Sequence, residues 1–224
     1  KNIVMLVHLG MTGKFFFVNH KSKKYKTSFY YDINEEKDKK HDRIIFDLSN
    51  NQKLIYNDIR KFGFIKFINT VNIDQNVHLK HLGPEPLSVK FNIKYFKNYI
   101  LGKNRSIKDL LMDQKFISGL GNIYVNEILF FSGVKPFKKT KILSDTNIKK
   151  IIKFTKKIIV KALILGGSSI KDFSSSSGKR GSYQQHFSVY GQKGKKCIKV
   201  NCRGIISKIL VSNRATFYCK KCQK

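Results

Sequence analysis

Apolar and polar positions alternate along the first stretch of the chain and recur every three to four residues beyond it. The runs IVMLVHLG, GKFFFV, RIIFDL, KLIYND and FGFIKFI are short and rich in Ile, Val, Phe and Tyr. Separated by Gly, Asn and Lys, they predict β-strands. Between them residues 19–42 (NHKSKKYKTSFYYDINEEKDKKHD) are too polar to pack and predict an exposed, mobile connection. HLGPEPLS at 81–88 holds two of the three prolines and predicts the domain boundary.

After that boundary the period becomes helical. VKFNIKYFKNYIL, SIKDLLMDQ, NIYVNEILFFSG and DTNIKKIIKFTKKIIVKALILGG each carry an apolar stripe, two of them with a glycine stop. SSSSGKRGSYQQ (174–185) predicts a loop, and GIISKILVSNRATFYC a β-hairpin flanked by cysteines. No internal repeat is visible. Strands followed by helices and a terminal hairpin predict an α+β chain.

Charge narrows the class. A net charge of +31, from 45 Lys+Arg against 14 Asp+Glu, repels itself in a compact fold and points to a polyanionic partner. A solvated basic surface is the alternative. Only six of the cations are Arg (Arg43, Arg60, Arg105, Arg180, Arg203, Arg214), so each marks a place where a flat, bidentate fork is preferred to Lys. The hydrophobic content of 41% is enough for a packed core. No apolar run approaches the ~20 residues of a membrane-spanning helix, and no export signal opens the chain. The expectation is a cytoplasmic protein with no membrane partner.

All four cysteines fall near the end, as C-x4-C (Cys197, Cys202) and C-x2-C (Cys219, Cys222). An intervening hairpin would bring the pairs together around one tetrahedral Zn2+. Disulfides fit poorly without secretory signals, and a redox Cys-x-x-Cys needs no second pair. With four thiolates no coordination position stays open, so the zinc is expected to be structural. Arg214, on the same hairpin, could aim a rigid guanidinium at a phosphate.

Five segments in order, HLGMTG (8–13), IRKFG (59–63), HLGPEP (81–86), GLGNIYVNEILF (119–130) and NRATFYCKKCQK (213–224), closely resemble the formamidopyrimidine-DNA glycosylase family of bacterial repair enzymes. The resemblance covers nearly the whole chain. It implies a β-sandwich at 1–83, a hinge at 84–95 and a helix–two-turn–helix domain at 96–187. A loop closing over the lesion is implied at 174–185 and a zinc finger at 188–224, with DNA between the halves. The resemblance further implies removal of oxidised purines (8-oxoguanine, formamidopyrimidines) from double-stranded DNA and cleavage of the abasic site by β,δ-elimination. A monomer associated with the nucleoid is expected.

Residue by residue, the resemblance gives Met11, Arg60 and Phe62 the task of filling the gap left by an everted base and reading its partner. Read alone, a Met such as Met11 in its Gly-flanked turn is more often a core filler. Arg60 and Phe62 lie two apart on a strand-like run and are expected to face one side. His41 matches a DNA-contacting histidine, Lys108 a lysine near the damaged strand, and Lys103 or Arg105 a phosphate contact. Asn122 is expected to cap the next helix, turning free N–H groups toward a phosphate. An ordinary capped helix hairpin is the alternative.

Of the groups to which the family assigns nucleophile or proton roles, only Arg214 has a counterpart here. The N-terminal Pro, the adjacent Glu and an early hairpin Lys would precede VMLVHLG. The chain starts with Lys1 directly before a strand, which reads as a cut within the domain. The expectation is therefore binding without excision by these 224 residues. The competing class is a non-catalytic basic zinc-ribbon protein that binds nucleic acid.

Overall fold

The computed structural model describes residues 2–19, 39–168 and 182–224. Lys1, most of the 19–42 connection and residues 174–181 of the loop expected to close over a lesion lie outside the described residues. Two compact units emerge: Lys1–Asn76 with Leu165–Gln184, and Val77–Ile164 with Gln185–Lys224.

The first unit is a small β-sandwich. β1 (Ile3–His8) pairs antiparallel with β5 (Phe64–Asn69), His8 opposite Phe64. In the second sheet β4 (Gln52–Asp58) lies between β2 (Gly13–Asn19) and β3 (Asp42–Leu48). Phe16 and Tyr56 are both buried, on opposite faces of the β2–β4 pair since Tyr56 stands opposite Phe15 and Phe16 opposite Ile55, and Phe46 meets Phe67 edge-to-face at 6.4 Å. Two turns meet at one end of the sandwich. Residues 9–12 join β1 to β2, with Gly10 at φ 62°, and residues 59–63 join β4 to β5, with Lys61 at φ 58°. They touch so closely that a Cβ on Gly63 would stand 1.9 Å from the Tyr56 hydroxyl oxygen, and one on Gly10 2.8 Å from the Gly63 nitrogen. Only glycine fits at either place.

The second unit holds the larger core. α1 (Ile93–Ile100) is capped by Asn92, whose side chain accepts from Tyr95 N, and α2 (Ile107–Met112) by Ser106, which accepts from Asp109 N. α3 (Asn122–Ser132) ends on Gly133 in the left-handed conformation, and α4 (Asp145–Ile164) packs along it. Phe91, Phe96 and Phe116 are fully buried together, the last two edge-to-face at 4.9 Å. The hairpin β6 (Ile206–Val211) and β7 (Arg214–Cys219) turns through Ser212 and Asn213, both at positive φ as a tight two-residue turn requires. Its apolar face (Ile206, Phe217, Cys219) packs on Phe130 of α3 and on Val189. Among the described residues no helix is long and apolar enough to cross a membrane.

Candidate metal centre and nucleic-acid interface

The four cysteines converge. Cys197 Sγ lies 3.7 Å from Cys222 Sγ, Cys202 Sγ lies 3.7 Å from Cys219 Sγ, and all four sulfurs fall within 4.8 Å of one another. A disulfide needs about 2.05 Å, so none is formed. Four thiolates at about 2.3 Å from a tetrahedral ion would stand about 3.8 Å apart, close to the observed spacing. The cage is held from outside by backbone and amide contacts. Cys197 N donates to Gly204 O, and Cys219 N donates to the buried Gln223, whose Nε2 donates to Val134 O, each at 2.8 Å. Burial pushes the Cys219 thiol up, but the Cys222 and Lys221 backbone N–H groups outweigh it and leave the thiol lowered. Gly204, which sequence reasoning did not single out, sits against the sulfurs.

The N-terminus of α3 departs from expectation. Its cap is Gly121, with no side-chain cap bond, and Asn122 is the first helical residue. The Asn122 Nδ2 donates instead to the Ala215 carbonyl at 3.0 Å, tying β7 to α3. Asn126, one turn on, accepts from Phe217 N at 2.6 Å and donates to Asn122 O. Lys108 is 1% exposed, and its Nζ donates to Thr216 Oγ1 at 2.6 Å and to Ala215 O at 3.1 Å. Burial, with Arg214 nearby, lowers its pKa to about 8 against the pull of Asp109. Lys108 and Asn122 thus hold the strand that starts with Arg214, whose side chain is exposed. Beside it opens a cleft of about 800 Å³ lined in part by Arg105, Lys108, Asp113, Lys115 and Arg214. Arg105 is engaged by Asp113 at 2.6 Å and by Asp109 O at 3.0 Å. Lys103 lies 4.0 Å over the Tyr99 ring and donates to the Tyr99 carbonyl.

In the β-sandwich the expected trio meets, though by another route. IRKFG is no strand: it turns at Lys61, and this turn folds Arg60 back so that its guanidinium carbon lies 4.5 Å over the Phe62 ring. Arg60 Nη1 also lies 3.1 Å from Met11 Sδ. Met11 (56% exposed) and Phe62 (57%) stand in solvent, which excludes the core-filler reading of Met11. His41 lies within 3.4 Å of Arg43, whose Nε donates to the Asp58 carbonyl. Asp58, buried beneath both turns, was missed by sequence reasoning. A carboxylate closing a strand before a turn reads equally as an exposed turn former.

Comparison with known proteins is consistent along the chain. Residues 1–65 match the formamidopyrimidine-DNA glycosylase N-terminal domain, and residues 82–174 the H2TH domain of the same family. The formamidopyrimidine-DNA glycosylase of Rickettsia bellii (strain OSU 85-389) is 39% identical over 223 residues, covering 100% of this chain and 76% of its own length. That of Rhodopseudomonas palustris (strain HaA2) is 35% identical over 226 residues, covering 98% and 76%. Among solved structures, Lactococcus lactis Fpg in complex with abasic-site DNA superposes with a TM-score of 0.80 at 33% identity, over 99% of this chain and 75% of that one. The wild-type Lactococcus lactis Fpg (MutM) complex with DNA containing an N7-benzyl-Fapy-dG gives 0.81 at 32%, over 100% and 76%. The sandwich, the helical unit and the four-cysteine hairpin are those of a DNA glycosylase of base-excision repair. Within that class the chain belongs to the formamidopyrimidine-DNA glycosylase family.

Proposed function

We propose that the protein recognises oxidised purines, 8-oxoguanine and formamidopyrimidines, and abasic sites in double-stranded DNA, as a glycosylase and abasic-site lyase acting through β,δ-elimination. The observation that carries this reading is the Met11–Arg60–Phe62 constellation. An apolar side chain, a bidentate donor and an aromatic ring share one exposed point. Met11 is suited to enter the space of an everted base, Phe62 to wedge the stack, and Arg60 to reach the edge of the orphaned partner. Arg214, presented at the start of β7, holds backbone phosphate and assists the final elimination. Lys103, Arg105 and His41 are further phosphate contacts, Arg105 only once Asp113 yields it. Asn122 and Lys108 act indirectly, by fixing the Arg214 strand. Cys197, Cys202, Cys219 and Cys222 would hold one Zn2+, which supplies a cross-link and no reacting group. The protein acts as a monomer in the bacterial cytoplasm, associated with the nucleoid through DNA.

The amine nucleophile that this chemistry requires is assigned to none of the residues named above. Binding should weaken steeply with salt. Arg214→Ala should weaken binding to every duplex alike, whereas Arg60→Ala should erode discrimination of the base opposite the lesion. Equal, uniform losses from both would sink the reading. Borohydride trapping on an oxidised-guanine duplex tests the chemistry. A covalent adduct would be the Schiff base of a lyase, and its loss in Lys1→Ala would make Lys1 the amine, whereas no adduct would count against the lyase reading.

A further inference from the structure

We infer that Asp58 is the positioning residue that sets Arg60 for base discrimination, by locking the two turns of the sandwich into one body; this rests on the reading of Arg60 as the group that meets the orphaned base. The Asp58 carboxylate is 1% exposed and fully engaged. Its Oδ1 accepts from Thr12 Oγ1 at 2.5 Å and from Arg60 N at 3.2 Å. Its Oδ2 accepts from Gly63 N at 3.0 Å and from the Tyr56 hydroxyl at 3.2 Å. Thr12 Oγ1 in turn accepts from Arg60 N at 3.0 Å, so one hydroxyl bridges the carboxylate and the residue it positions. The first turn supplies Thr12, next to Met11. The second supplies Arg60 and Gly63, on either side of Phe62.

Such a carboxylate does more than stabilise a strand end. Burial pushes its pKa up, but the donors from Thr12, Gly63, Tyr56 and Arg60 outweigh this and hold it below the usual carboxylate range. It is therefore a fixed anion with acceptor sites directed at both turns. The Asp58 main-chain carbonyl continues the network by accepting from Arg43 Nε at 2.9 Å, and Arg43 reaches toward His41. The backbone of Arg60 is pinned while its side chain stays free to stack on Phe62 or reach outward. A guanidinium reads one base edge against another only if its root is fixed to within a fraction of an ångström.

The test is the affinity of the full chain for duplexes holding a tetrahydrofuran abasic site opposite each of the four bases, beside an undamaged duplex. Asp58→Asn offers an amide NH2 to donors where an oxygen stood. It should cut the ratio between best and worst partner base about fivefold or more, the range of a lost base contact. Affinity for undamaged duplex should stay within about twofold, because the phosphate contacts of the other unit are untouched. Thr12→Val removes the bridging hydroxyl with little change of shape, and should lower the ratio in the same sense if Asp58→Asn fails to fold. In an Asp58→Asn/Arg60→Ala double variant the ratio should fall no further than in Arg60→Ala alone, since both act on one contact. If Arg60→Ala collapses the ratio while Asp58→Asn or Thr12→Val leaves it unchanged, or weakens every duplex equally, Asp58 is only structural and the inference is overturned. If Arg60→Ala itself leaves the ratio intact, the reading of Arg60 fails first and the inference falls with it.

Discussion

Glu127, buried in α3, accepts hydrogen bonds from the backbone N–H groups of Ser188, Val189 and Tyr190, the shortest from Tyr190 at 2.8 Å. One carboxylate thereby fastens the segment that leads into the metal hairpin to the helix beneath it. Burial pushes this carboxyl up, and the same three N–H groups offset that only in part, so it stays above the usual carboxylate range.

Two substitutions at this position should separate charge from acceptor. Oε1 accepts from all three N–H groups while Oε2 shares that of Ser188 at 3.0 Å, so Glu127→Gln can keep the Val189 and Tyr190 bonds, loses the second oxygen at Ser188, and is expected to cost about 1–2 kcal/mol. Glu127→Leu orphans three buried donors and should cost on the order of 3–5 kcal/mol. Urea denaturation reads both. Equal costs for the two would refute the acceptor role.

Lys108 makes stability depend on pH in a specific direction. Its folded pKa, about 8, lies below the unfolded value of about 10.4, so between these limits the unfolded chain binds more protons. Stability contributed at this site therefore rises as pH climbs from about 8 to about 10.4 and is lowest below that window. Lys108→Met should remove the rise, and the difference between wild type and variant should change by roughly 1–3 kcal/mol across it. Thermal melts at pH 7.5 and 10 measure this. A difference that does not change with pH would contradict it.

Metal analysis should find one zinc per chain, lost or weakened in Cys219→Ser. Gly204 gives a sharper probe. A Cβ there would stand 2.5 Å from Cys219 Sγ and 3.2 Å from Cys202 Sγ, so Gly204→Ala should lower zinc affinity at least about tenfold while removing no ligand. Competition with a chromophoric chelator measures it. Full chelation should unfold residues 197–222 and leave the circular dichroism of α1 to α4 largely intact. A protein without zinc, or an alanine variant of unchanged affinity, would count against the cage.

What the sequence revealed and what it hid reflect the range of the forces involved. Strands, helices and the hairpin were legible because period two and period 3.6 are local properties, and the cysteine spacing survives any fold that closes a hairpin. Asn122 was misread because its partner is Ala215, 93 residues away. The rule that Asn before an apolar run caps a helix cannot see a better acceptor across the core. Lys108 was expected near the damaged strand, and nothing on its own helix announces that Thr216 holds it in the core. Arg60 and Phe62 were expected on one side through strand alternation, and their stack arises instead from a left-handed Lys61, a conformation that a lysine code does not advertise.

The burial of Lys108 gives the molecule an internal clock for the opening of its hairpin. Among the described residues every other lysine except Lys14 is at least partly exposed to water, where an acylating reagent modifies it at a rate set by the reagent. The Lys108 amine reacts only in the moments when β7 lifts away from α2 and α3. Its rate of labelling, followed by mass spectrometry, therefore reports how often Arg214 leaves its place, and metal or DNA that holds the hairpin down should slow that one amine selectively.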